Sequence, residues 1–190
     1  LPSITPPVAT PNDPNYKPYR RDPETLVRQW AIPGMEGLRH RVGGLEKSDG
    51  VGAVSTDPLN HEKMVKYRKD KVERLADRIP LQYVDGDDSG ELLLVSWGGT
   101  KGSILTAIKE VRKSGKKVSH AHFTNIMPLP KNTADLLGKF KKILVCELNS
   151  GQFVNYLRMQ FPQYQYLQYN KVQGLPFTVQ EIVKEINNLI

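Results

Sequence analysis

Residues 92–123 read LLLVSWGGTKGSILTAIKEVRKSGKKVSHAHF, and three successive patterns in this run decide the fold class. The apolar run Leu92–Val95 suits a short buried strand, followed by glycines at Gly98 and Gly99. Ile104, Leu105, Ala107, Ile108 and Val111 then recur at helical spacing, which places them on one helix face. Lys117–Phe123 returns to strand character. Strand, helix and strand in this order build a parallel sheet, because parallel neighbours need a crossover connection.

The alternation continues downstream. Asn132 or Thr133 can cap a short helix that Gly138 stops, Ile143–Cys146 is a third strand, and Asn149-Ser150-Gly151 opens a helix carrying Phe153, Val154 and Leu157. Residues 164–169, YQYLQY, form a fourth strand candidate. The last helix has a capping box in Thr178 and Glu181, with Phe177 and Ile182 spaced as a hydrophobic staple. The class is α/β: a three-layer domain with a mainly parallel sheet. Ligands of such sheets bind beyond the carboxyl ends of the strands. Four loops share that edge: GGTKGS (98–103), TNIMPLPKN (124–132), ELNSG (147–151) and NKVQGLPFT (170–178). The basic clusters discussed below fall on the opposite edge.

Phosphate motifs require glycines where backbone must approach oxygen. A P-loop needs Gly, four residues, then Gly-Lys-Ser/Thr, and a dinucleotide turn needs G-x-G-x-x-G. Gly98, Gly99 and Gly102 satisfy neither spacing. Two readings stay open: a tight turn made by Gly98 and Gly99, or a generic helix N-terminus holding a lone anion, with Thr100 and Ser103 as caps and Lys101 nearby. Gly98, Gly99, Thr100 and Lys101, with Asn149, Ser150 and Gly151, are the candidate anion or interface residues.

Other chemistry is sparse. His120 and His122 share a strand face, as two metal ligands would, but no third ligand is evident, and partly buried, hydrogen-bonded histidines are the alternative reading. Cys146 lies in an apolar strand beside Glu147, a setting that raises a thiol pKa and makes a poor nucleophile. Residues 85–90, DGDDSG, are an acidic loop without the twelve-residue calcium pattern. With one cysteine in 190 residues, this chain alone builds no disulfide framework, iron–sulfur cluster or thiolate zinc site. No run approaches the roughly 20 apolar residues of a membrane span. The lack of a signal-peptide pattern points to the cytoplasm.

The net charge of +7 comes wholly from residues 91–190, where thirteen Lys and Arg face six Asp and Glu. It gathers at Lys109, Arg112, Lys113, Lys116 and Lys117 and at Lys139, Lys141 and Lys142, where helices end and strands begin. Cations complement a helix C-terminus by roughly 0.3–1 kcal/mol each. A docking patch for an acidic protein is the second reading. Nucleic acid is disfavoured because no aromatic residues are interleaved for stacking.

Composition changes near residue 60. Eight of fourteen prolines fall within the first 33 residues, and glycines follow at Gly34, Gly37, Gly43, Gly44, Gly50 and Gly52. Residues 1–57 are therefore expected to be an irregular Pro/Gly-rich arm. Trp30, Ile32, Met35, Leu38 and Val42 make it too apolar for a free linker, so it should lie along a surface. Asp57 as N-cap and Pro58 at the first helical position start a charged helix with Met64, Val65, Val72, Leu75, Ala76 and Ile79 on one face and Pro80 at its end. This helix is expected to pack on the sheet, within a domain spanning 58–190.

Residues 31–76, AIPGMEGLRHRVGGLEKSDGVGAVSTDPLNHEKMVKYRKDKVERLA, with LLLVSWGGTKGSILTAI (92–108), HAHFTNIMPLP (120–130), ELNSGQF (147–153) and NKVQGLPF (170–177), closely resemble the C-terminal part of the alpha subunit of 2-oxoglutarate:ferredoxin oxidoreductases, in the 2-oxoacid:acceptor oxidoreductase family. Order and spacing make the match specific. Lys47 stands in GGLEK where many relatives of that family have histidine. The resemblance implies a transketolase C-terminal-like domain in an enzyme that decarboxylates a 2-oxoacid on thiamine diphosphate with magnesium. That enzyme passes the acyl group to coenzyme A and electrons through an iron–sulfur cluster to ferredoxin. It further implies that these cofactors sit on the remainder of the alpha subunit and on the beta subunit, that no residue of this region is catalytic, and that neither nucleic acid nor membrane is a partner. The rival reading is an independent small-anion or nucleotide-binding regulatory α/β module using GGTKGS.

Overall fold

Four parallel strands in the order β2-β1-β3-β4 form the sheet of the computed structural model, which describes residues 6–190. They are β1 (Gly90–Trp97), β2 (Ser119–Phe123), β3 (Phe140–Glu147) and β4 (Tyr166–Asn170). Helices α2 (Lys101–Lys113), α3 (Thr133–Leu137), α4 (Gln152–Gln160) and α5 (Val179–Leu189) cover the two faces; α1 (Pro58–Glu73) precedes them in the chain. Side chains alternate across a strand, and here both faces are covered, so β1 is apolar without interruption from Leu92 to Val95. Leu93 and Val95 join Ile143, Val145 and the α3 and α4 residues Leu137, Phe153 and Leu157 in one core. Leu92 and Leu94 join Leu144, Cys146 and the α2 and α5 residues Ile104, Ile108, Ile182 and Ile186 in the other. Each fully buried aliphatic side chain contributes roughly 1.5–3 kcal/mol. The α/β expectation for this part of the chain holds.

Helix starts follow the sequence signals unevenly. Thr178 accepts from the Glu181 amide at 3.2 Å and Glu181 accepts from the Thr178 amide at 2.8 Å, a complete capping box on α5. Phe177 and Ile182, the expected staple, lie in one core cluster. Thr100 and Asn132 occupy N-cap positions without capping. Thr100 Oγ1 instead donates to the Trp97 carbonyl at 2.8 Å, and Thr133 Oγ1 to the Pro130 carbonyl at 2.6 Å. Both hydroxyls close the preceding turn.

The chain divides into two compact units, one ending at Leu75 and the other comprising Ala76–Ile190. The first contains α1, whereas the expected arm ended at residue 57. Local bonding explains the difference. The Asp49 amide donates to Asn60 Oδ1 at 3.1 Å, Asn60 Nδ2 donates to the Lys47 carbonyl at 3.1 Å, and Lys63 pairs with Asp49 at 2.7 Å. Asp57 and Pro58 start α1 as expected, but it ends at Glu73, well before Pro80, and Met64 is its only buried residue. Val65 in α1 and Leu75 in the 3-10 turn Arg74–Asp77 that follows it are each 46% exposed. Ahead of α1 the described backbone is irregular, held by isolated bridges such as Val8 to Trp30, Tyr19 to Gly50 and Arg21 to Arg28. LPSIT, the first five residues of the expected arm, lies outside the described residues.

Candidate functional site

In the order β2-β1-β3-β4, chain direction diverges at β1, and the carboxyl ends of β1 and β3 flank the crevice where open α/β sheets bind ligands. Trp97 ends β1 and Glu147 ends β3. Trp97 Nε1 donates to Glu147 Oε2 at 3.1 Å. The same carboxylate accepts from the Phe153 amide at 2.8 Å and the Val154 amide at 2.9 Å, in the first turn of α4. A helix N-terminus with free amides attracts anions, and here Glu147, fully buried, takes that place.

The candidate loop residues divide accordingly. Asn149 Oδ1 accepts from the Gly151 and Gln152 amides at 2.8 and 2.9 Å, and Gly151 turns through φ +94°. Ser150 is exposed. With Glu147 these residues complete the entry to α4. Gly98, Gly99 and Thr100 form a short 3-10 turn, Gly98 has φ +60°, and neither glycine has an atom within 4 Å of an added Cβ. Lys101 opens α2 as an exposed side chain.

A second arrangement lies at the β1–β2 side of the same edge. Register pairs Leu94 with His120 and Ser96 with His122. Ser96 Oγ is 2.7 Å from His120 Nε2 and 2.8 Å from His122 Nδ1. One hydroxyl donates to one ring nitrogen and accepts from the other, which links the two tautomers. Burial, then the neighbouring His122, pushes His120 down to about 4, with Asp85 opposing and Lys101 and Arg112 reinforcing the shift. Burial and the Lys101 charge also lower His122. Both shifts favour neutral rings at neutral pH. The histidines line a cleft of about 470 Å³ with Gln82, Asp85, Lys101 and Asn125. Ser96 is fully buried, so it is a hub of hydrogen bonds and not an accessible nucleophile.

The hydrogen-bonded reading of the two histidines is the one realised, and no group of three His, Cys, Asp or Glu side chains is placed to hold a metal among the described residues. Burial, followed by Glu185 and Glu147, raises the Cys146 thiol far above its ordinary pKa. Several basic residues are engaged inside the fold: Arg112 donates to Asp85 Oδ1 at 2.6 Å and to the Val118 carbonyl at 2.8 Å, Lys116 to Asn187 Oδ1 at 2.7 Å, and Lys141 pairs with Glu91 at 2.9 Å. Sequence reasoning missed Ser96 as hub and Glu147 as internal anion. The available signal was one polar residue directly following each of two apolar runs, Ser96 after Leu92–Val95 and Glu147 after Ile143–Cys146. No described helix is long and apolar enough to cross a membrane.

The chain matches no protein-family model. It is 40% identical over 183 residues to the 2-oxoglutarate oxidoreductase subunit KorA of Mycobacterium tuberculosis, covering 96% of this chain and 27% of that protein. It is 30% identical over 155 residues to the alpha subunit of 2-oxoacid:ferredoxin oxidoreductase 1 of Aeropyrum pernix, covering 76% of this chain and 24% of that protein. The chain thus spans about a quarter of these relatives. Among solved structures it is similar to 2-oxoglutarate:ferredoxin oxidoreductase from Magnetococcus marinus, with 2-oxoglutarate, coenzyme A and succinyl-CoA bound. That similarity has a TM-score of 0.84 and 26% identity over 95% of this chain and 32% of that one.

Proposed function

We propose that this chain, a homologue of part of the alpha subunits of 2-oxoglutarate and 2-oxoacid:ferredoxin oxidoreductases, serves as the C-terminal region of such a subunit, in a structural and subunit-interface role. The whole enzyme oxidatively decarboxylates a 2-oxoacid, with 2-oxoglutarate as the favoured substrate, forms acyl-CoA and CO2, and reduces ferredoxin in the cytoplasm. The observation that carries this reading is the similarity to KorA over 96% of the chain. An independent anion-binding regulatory module is not favoured by that similarity.

Neither the cysteine content nor the carboxyl edge of the sheet fits the cofactors of such an enzyme. An iron–sulfur cluster is held by several thiolates, and the one cysteine here is buried. The α4 N-terminus, a place for a diphosphate, is filled by Glu147. We therefore assign thiamine diphosphate, magnesium and the cluster to the rest of the alpha subunit and to the beta subunit. What this chain offers instead is surface. Trp30, Ile32 and Val42 in the first unit are 60%, 53% and 72% exposed, and Tyr83 and Met127 in the second are 74% and 75% exposed. We assign these exposed apolar side chains to contacts with the remainder of the enzyme.

The test is reconstitution. The full-length subunit with its beta partner should reduce a viologen dye dependent on 2-oxoglutarate and coenzyme A, and the isolated 190-residue chain should not. Substrate-dependent dye reduction by the isolated chain would overturn the assignment.

A further inference from the structure

The first unit contains a cleft of about 490 Å³ that the role proposed above does not use. Arg21, Arg28, Lys47 and Arg68 line it against a single carboxylate, Glu46. Two of these cations are forced together by the backbone. Asp22 closes a tight turn by accepting from the Glu24 and Thr25 amides at 3.1 and 2.7 Å, and the Asp22 amide donates to the Val27 carbonyl at 2.9 Å. The turn ends in an antiparallel bridge between Arg21 and Arg28. Like charges directly opposite in such a pair are destabilising, and this pair is only partly open to solvent.

Each guanidinium also lies over an aromatic ring. Arg28 lies over the Tyr19 ring at 4.4 Å, and Arg21 over the Tyr67 ring at 4.8 Å. Arg21 reaches Asp49 at 3.4 Å, and Arg68 reaches Glu46 at 3.0 Å. Arg28 has no hydrogen-bond acceptor among the described residues, so its donors remain available. Lys47, only 5% exposed, donates to the carbonyls of Gly43 and Leu45 and adds charge to the wall. Burial depresses the Arg21 pKa; Asp49 opposes this, and Arg28 and Arg68 add to it. Planar, stacked guanidinium forks suit bidentate binding of oxyanions.

We propose that this cleft binds a small polyanion of the phosphate class, a diphosphate group in particular, with Arg28 as the principal ligand. Four cations against the two carboxylates that pair with them, Glu46 and Asp49, leave an excess of two positive charges, which calls for more than one negative charge. Concavity favours a small molecule over an extended acidic chain. The inference is independent of the oxidoreductase reading, since it rests on the first unit alone.

The test is calorimetric titration of the full-length protein, with its partner subunit, using pyrophosphate, inorganic phosphate and succinate at low ionic strength. Pyrophosphate should bind more tightly than phosphate, and succinate more weakly than either. Arg28→Ala should weaken pyrophosphate at least tenfold while thermal unfolding stays cooperative, because no protein group loses a hydrogen-bond partner and the lost Tyr19 ring contact is opposed by relief of the Arg21–Arg28 repulsion. Arg28→Lys, which keeps the charge without the fork, should fall between. Lys109→Ala, at an exposed cation of the other unit, should leave binding unchanged. Absence of pyrophosphate binding, an equal loss in Lys109→Ala, or wild-type affinity in Arg28→Ala would each overturn the proposal. Tighter binding of succinate than pyrophosphate would also overturn it, by assigning the cleft to dicarboxylates.

Discussion

Replacing Glu147 tests whether a buried side chain stands where α/β sheets usually hold a ligand. The carboxylate presents two acceptor oxygens: Oε1 to the Val154 amide at 2.9 Å, and Oε2 to the Phe153 amide at 2.8 Å and Trp97 Nε1 at 3.1 Å. Glu147→Gln keeps one acceptor and puts an NH2 against the remaining amide, leaving one buried donor unmatched. An unsatisfied buried donor costs about 1–3 kcal/mol, so a loss of about 2 kcal/mol is expected. Glu147→Ala strands both amides and adds a cavity, and about 4 kcal/mol is expected. Trp97 is half-buried and regains a partner in water, so it adds little. Urea unfolding followed by circular dichroism, with Trp97 fluorescence in a Trp30→Phe background, measures both changes. The reasoning fails if Glu147→Ala stays within about 1 kcal/mol of wild type, or if Glu147→Gln is as stable as wild type.

Three further outcomes are expected. Gly98→Val should cost about 2 kcal/mol and Gly98→Ala about 1, because φ is +60° there. Gly99→Ala, with no positive φ and no neighbour within 4 Å, should stay within about 0.5 kcal/mol in chemical denaturation. Lys101→Ala should leave stability unchanged but lower subunit affinity or activity of the assembled enzyme; unchanged affinity and kinetics would reduce the loop to a turn. Stability should also fall with acid. The folded pKa of His120, about 4, lies below its unfolded value of 6.5, so its contribution is complete above 6.5 and is lost as pH drops towards 4. Its size is about 3 kcal/mol by linkage. A flat stability profile from pH 7 to pH 4 would contradict this, since His122 shifts in the same direction.

Local pattern was enough for the sheet and its helices. Apolar runs marked β1 and β3, helical spacing marked α2, and the Thr178–Glu181 box marked α5, since each signal lies within a few residues of the feature it creates. Locality shows less at α1, which is fastened at its polar positions to residues 46–49 through contacts that its spacing does not announce. Hydrogen bonds and ion pairs between a helix and a preceding irregular segment leave no periodic trace in the sequence. The caps failed for a related reason: Thr100 and Asn132 had backbone partners outside their helices.

The candidate site was harder to read because its contacts join distant positions through strand register. Ser96 meets His120 and His122 only because β1 and β2 pair in parallel with Ser96 opposite His122. Glu147 reaches Trp97 across 50 residues because β3 lies on the other side of β1. One strand order therefore produces two different environments at a single edge. Between β1 and β3, a carboxylate and an indole occupy the crevice and meet the α4 amides, so an incoming anion would have to displace a buried charge from three donors. Between β2 and β1, neutral histidines and Lys101 line an open cleft. A ligand or partner approaching the carboxyl edge therefore meets its open polar groups on the β2 side, and Lys101, between the Gly98 turn and that cleft, is the residue whose loss should be felt first in assembly.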